Sequence, residues 1–87
     1  MTDQIISPDG TMTDMPEAQG DDGGYTLQQM QDVVGGLIQL VAASDGRTLV
    51  VNEEGLLKEL EYNYEASNLA GFPIMGTVLA CDDGMIT

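Results

Sequence analysis

The sequence predicts a small α+β domain: a mostly antiparallel sheet with two short helices on one of its faces, in the order β-α-β-β-β-α-β. Three observations lead there. Thr26 and Gln29 form a capping-box pair ahead of an apolar helical face, Asp45-Gly46 stands between two apolar runs as a hairpin signal, and Gly and Pro punctuate the remainder at short intervals. A chain of 87 residues with 43% apolar content has room for one modest core, so residues 1–87 are read as a single domain.

Taken in order, residues 2–7 make a short first strand, ended by the turn tripeptide Pro8-Asp9-Gly10. Residues 11–24 turn to Thr, Met, Pro, Glu, Asp and Gly without periodicity, and are expected to form a long, acidic, mobile loop. Thr26 then caps a helix whose Leu27, Met30 and Val34 share a face with Val33, and Gly35-Gly36 stops it. Residues 37–43 follow as an apolar strand, the Asp45-Gly46 turn reverses the chain through a type I′ geometry, and residues 48–51 return, rich in β-branched side chains.

After Asn52-Glu53-Glu54-Gly55, a second turn, residues 56–60 read as a further short strand. Asn63 caps a brief helix containing Glu65, Ala66 and Leu69, which Gly71 and Pro73 end. Residues 74–81 are a last strand with Gly76 as a weak point or bulge, and Asp82-Asp83-Gly84 turns into a short tail.

Charge is the outlying property. Fifteen Asp and Glu stand against two cations, Arg47 and Lys58, for a formal net charge of -13. Solubility of a small domain is served by a magnitude of roughly 2–8, and the excess strains the compact state through self-repulsion. Three explanations fit the charge: plain solvation, adaptation to high salt, and mimicry of nucleic acid, whose duplex carries one charge per roughly 1.7 Å of axis. Direct binding of nucleic acid or of an anionic membrane is disfavoured by the same sign. The opening residues show neither the basic nor the apolar part of a secretory signal. The longest apolar run, residues 37–43, is broken by Gln39 and far short of the roughly 20 residues a bilayer requires. The single cysteine, Cys81, admits no internal disulfide, and a reducing, cytoplasmic setting is expected.

The run Leu27-Gln28-Gln29-Met30-Gln31-Asp32-Val33-Val34-Gly35-Gly36-Leu37-Ile38, then Val50-Val51-Asn52-Glu53-Glu54-Gly55-Leu56-Leu57, resembles a small-protein family known as domain of unknown function 3846. Asn63, Ala66 and the closing Ile74-Met75-Gly76-Thr77-Val78-Leu79 fit its pattern as well. The resemblance covers roughly residues 25–80, with the acidic N-terminal stretch standing outside it as an insertion. It implies a phage, plasmid or other mobile-element origin, a compact α+β unit in the cytoplasm of the carrying bacterial cell, and no catalytic residues. In size and charge the chain also looks like phage-encoded inhibitors of the anti-CRISPR, antirestriction and uracil-DNA glycosylase inhibitor types, a likeness of kind rather than of sequence.

Catalysis finds little support. Histidine, the commonest general base and metal ligand, is absent. Cys81 precedes Asp82 and Asp83, whose charges oppose thiolate formation, so a buried structural cysteine is expected. The adjacent carboxylate pairs lie in turns rather than in a cleft that would hold two carboxyls in different environments. Asp21-Asp22-Gly23 and Asp82-Asp83-Gly84 lack the alternating oxygen ligands and closing Glu of a calcium loop. No cofactor, no metal and no enzymatic activity are expected. The expected contact residues are Glu53, Glu54, Glu59, Glu61 and Glu65, with Glu59 and Glu61 on one face of an extended stretch 57–61, the neighbouring Tyr62 and Tyr64 as anchors, and Asp21 and Asp22 in the loop. The function expected from this is that of a monomeric inhibitor that blocks the basic nucleic-acid-binding surface of a host enzyme or defence protein. The alternative is a non-catalytic structural or regulatory domain whose acidity serves only solubility or high-salt adaptation.

Overall fold

The computed structural model describes residues 3–55 and 57–86, so Thr2 and Leu56, each the expected start of a strand, lie outside the described residues. Its elements are β1 (Gln4–Ile6), β2 (Met12–Asp14), α1 (Leu27–Val34), β3 (Ile38–Ala42), β4 (Thr48–Asn52), α2 (Tyr64–Ala70) and β5 (Val78–Cys81), followed by a 3-10 turn, Asp83–Met85. The five strands make one antiparallel sheet in the order β2-β1-β5-β4-β3. The α+β class holds; the element order differs from the expected one at two places.

The first is β2. Residues 11–24 were expected as loop alone, yet Met12, Thr13 and Asp14 pair with Ile6, Ile5 and Gln4. The turn between them is built like the one between β3 and β4. In each, an Asp-Gly pair closes a three-residue loop: Gly10 N–H donates to Ser7 O and Ser7 N–H to Thr11 O, as Gly46 N–H donates to Ala43 O and Ala43 N–H to Arg47 O. Gly10 and Gly46 take φ of 92° and 91°, while Asp9 and Asp45 stay at negative φ. The second hairpin is therefore a three-residue loop with a left-handed glycine, not the type I′ turn the dipeptide suggested. The aspartates serve the turns with their side chains, each accepting a backbone N–H two residues on, from Thr11 at 2.9 Å and Arg47 at 3.1 Å.

The second is the stretch 56–60, which is not a strand among the described residues. Lys58 N–H donates to Glu54 O and Leu60 N–H to Gly55 O, coiling the chain, and Glu59 sits at φ 53° in the left-handed region. The last strand is also shorter than expected. Gly76 at φ 87° breaks residues 74–81, leaving Met75 in an isolated bridge to Tyr62 ahead of β5.

The helices lie on opposite faces of the sheet, which corrects the one-face arrangement. Leu49 and Val51 of β4 and Val78 and Ala80 of β5 pack with Ile6, Ile74 and Ala66 on the α2 face. The alternate residues Val50, Leu79 and Cys81 pack with Met30, Val34 and Tyr25 on the α1 face. β4 and β5 are covered on both sides, which is why both read as unbroken apolar runs instead of alternating with polar residues.

Two buried asparagines join the layers. Asn63, with no exposed surface, caps α2 by accepting from Ala66 N–H at 3.0 Å, and its amide donates to Ile6 O and Gly76 O. Asn52 donates to Val34 O at the end of α1 and accepts from Glu54 N–H at 2.8 Å. α1 opens with the expected capping box, and Gln29 does more than close it. Its carbonyl oxygen also accepts from Gln19 N–H and its amide donates to Glu17 O, tying residues 17–19 to the helix.

Candidate functional site: an acidic segment beside an apolar cleft

The connection from β4 to α2 holds most of the expected contact residues on an anchored stretch of chain. Glu53 N–H donates to Leu37 O at its start, and at its end Glu61 O accepts from Gly76 N–H, Tyr62 bridges Met75 and Asn63 N–H donates to Ile74 O. Glu53, Glu59 and Glu61 are exposed along it, Glu65 is exposed in the first turn of α2, and Glu54 is half-buried. With Lys58 and Leu60 bonded back to Glu54 and Gly55 and Glu59 in the left-handed region, Glu59 and Glu61 are placed by turns rather than by strand alternation, a correction to how they come together. Tyr62 and Tyr64 meet edge to face with ring centroids 4.7 Å apart, and Tyr64 is 72% exposed.

Both cations of the chain are engaged within it. Arg47 pairs with Asp45 at 2.8 Å, and Lys58 reaches Glu54 across one turn at 3.9 Å. The Arg47 guanidinium beside Asp45, with its backbone N–H, holds the Asp45 carboxyl below the ordinary range, and the Thr11 N–H does the same for Asp9. Asp21 and Asp22 do not join the Glu53–Glu65 group. They sit in the turn 20–24, where Asp22 accepts from Gly24 N–H, leading to Tyr25 and α1 on the other face of the sheet. Tyr25 donates its hydroxyl to Asp3 at 2.6 Å there, and burial together with that bond pushes its phenol well above the usual tyrosine value. Cys81 is buried at the end of β5, as expected of a structural cysteine.

Sequence reading missed an apolar feature. A cleft of about 470 Å³ opens beside the acidic segment, lined by Gln39, Val51, Leu57, Phe72, Pro73 and Met75, with Glu53 among its walls. Leu57 is 83% exposed and Phe72 49%, unusual for large apolar side chains so close together. Phe72-Pro73 directly after the left-handed cap Gly71 is an ordinary helix ending, so it gave no sign of an exposed apolar surface. A second cleft of about 460 Å³ lies between β1, Met15, Pro16 and α1.

The family model for a domain of unknown function, DUF3846, matches residues 4–85. The chain belongs to that family. The match reaches from β1 past β5, so the acidic N-terminal stretch lies within the matched region, which is wider than the resemblance over 25–80. No curated protein and no solved structure matches the DUF3846 chain. Among the described residues, no three His, Cys, Asp or Glu side chains gather as a metal site, and no helix is long and apolar enough to cross a membrane.

Proposed function

We propose that this chain is a stoichiometric inhibitor or decoy, carried by a phage or other mobile element, that occupies the basic nucleic-acid-binding surface of a host protein with carboxylates in place of phosphates. The observation that supports the reading is the segment 53–65. It carries five carboxylates, four of them exposed, on backbone hydrogen-bonded at both ends, beside two exposed tyrosines, while Arg47 pairs with Asp45 and Lys58 lies 3.9 Å from Glu54. Anchored charges hold a spacing and steer encounter with a basic groove; the tyrosines and the apolar cleft supply desolvated contact area.

The test combines capture from bacterial lysate with competition. The chain is expected to retain a nucleic-acid-binding protein that excess duplex DNA and rising salt both release. A variant with Glu53, Glu54, Glu59 and Glu61 changed to Gln keeps size and hydrogen bonding, and is expected to stay folded while associating roughly tenfold more slowly or worse. A captured protein that DNA cannot displace, and that the Gln variant binds as well as the parent, would leave the charge to solvation alone. Loss of binding in an Asp14, Glu17, Asp21 and Asp22 variant instead would move the mimicry to the α1 side.

A further inference from the structure

The two edges of the sheet are built differently. β2 is three residues long and carries Asp14, and shortness and charge both discourage a further strand. β3 runs five residues, Ile38–Ala42, with no charge and no proline, and Leu40 on it is 49% exposed. The register tells which of its backbone groups face outward. Glu53 N–H donates to Leu37 O at one end and Ala43 N–H to Arg47 O at the other, each at 2.9 Å. Hydrogen-bonded pairs alternate along an antiparallel ladder, so Gln39 with Val51 and Val41 with Leu49 are also bonded inward. The N–H and C=O groups of Ile38, Leu40 and Ala42 therefore point to the open side. Gln39, on the α2 face of this edge, is also a wall of the cleft with Leu57 and Phe72.

We propose that β3 accepts an additional strand: an extended segment of a partner protein, apolar on the side facing the cleft and bearing Lys or Arg at its ends and on its other side. Its backbone pairs with Ile38, Leu40 and Ala42, its apolar side chains enter the cleft against Leu57 and Phe72, and a basic residue meets Glu53. Alternation of side chains along an added strand turns its apolar residues to the cleft and its basic ones to the opposite face, so the residue that meets Glu53 is a basic one at the end of the segment. Charge complementarity selects this occupant. β3 itself is neutral, but the chain around it carries -13, so a basic segment is attracted, whereas β3-to-β3 pairing of two copies brings two such charges together. This inference rests on the reading that the chain acts by binding a basic partner, and adds the manner of contact.

The experiment uses the whole chain and a synthetic probe, acetyl-Lys-Val-Lys-Val-Lys-Val-Lys-amide, with backbone amide exchange followed by NMR. At saturation, exchange at Ile38, Leu40 and Ala42 is expected to slow roughly tenfold or more, with Gln39 and Val41 unchanged. Two further probes of identical charge, N-methylated either at the valines or at the inner lysines, separate strand pairing from plain attraction. One of the two is expected to lose roughly tenfold in affinity. Leu40→Pro removes one outward N–H and leaves the β3–β4 ladder alone, so that variant is expected to fold and to lose the probe. Equal binding of all three probes, or no protection at the three amides, overturns strand addition. Protection that grows with protein concentration in the absence of probe overturns it as well, in favour of self-pairing. Loss of DNA competition with protection retained would remove the mimic reading and leave this one standing; the reverse result would do the opposite.

Discussion

Asn63 shows how much one side chain holds. It was readable as a helix cap from its place before Glu65 and Ala66, but its amide also serves two carbonyls brought from β1 and from the approach to β5, contacts 57 and 13 residues distant. Asn63→Ala is expected to cost about 2–4 kcal/mol, read as a lower urea midpoint, since it removes a cap and leaves two buried carbonyls without a donor. Asn63→Asp keeps the cap but not the donors, and is expected to be no milder. Tyr25 gives a prediction in pH. Its phenol is held neutral in the fold by burial and by Asp3, above the ordinary value of 10.0. That contribution is complete below the ordinary value and falls away as pH climbs beyond it. Stability should therefore decline on the alkaline side, and Tyr25→Phe should flatten that decline in denaturation curves taken across the range.

At the scale of elements, the two Asp-Gly loops test the backbone alone. A Cβ added at Gly10 or Gly46 meets nothing within 4 Å, so Gly10→Ala and Gly46→Ala should each cost only the left-handed penalty, about 1 kcal/mol by thermal unfolding. Gly76→Ala should cost more, because its Cβ would stand 2.8 Å from Leu60 Cδ1 as well. The caps of both helices, the β3–β4 hairpin and β4 were legible because each depends on local chemistry: a hydroxyl or amide that accepts an N–H, a glycine free to take positive φ, a run of β-branched residues. β2 was hidden because Met12-Thr13-Asp14 has no pattern of its own and is a strand only by pairing with β1. Residues 56–60 misled for the converse reason, their leucines resembling an apolar strand while Gly55 O and Glu54 O capture the amides that a ladder would need. Of the site, the carboxylates and tyrosines could be named from sequence, since exposure follows from their chemistry. The cleft could not, because Leu57 and Phe72 meet only after α2 turns back toward β5.

For the molecule as a whole, the charge predicts two salt responses of opposite sign. Self-repulsion among fifteen carboxylates weakens with screening, so melting temperature should rise as salt is added from low ionic strength. Association with a basic partner should weaken over the same range. Stability and binding falling together would point to a salt-induced change in the fold, while a flat melting temperature would show that the carboxylates are too dispersed to repel. EDTA should leave the melting temperature unchanged, and a marked drop would show that the acidic turns hold a cation.

β5 lies at the middle of the sheet and close to the end of the domain in sequence, between a hairpin made by β1 and β2 and another made by β3 and β4. During translation each hairpin can close by itself as it leaves the ribosome, yet neither has a neighbour until residues 78–81 have emerged. Two-stranded pieces of this kind are marginal alone. Until then the apolar strands β1 and β4 both present open edges, and the nascent chain depends on its own charge to keep them from pairing elsewhere. The acidity that suits the finished molecule to a basic partner would thus already be at work before there is a finished molecule, as a solubilising tag on an incomplete sheet.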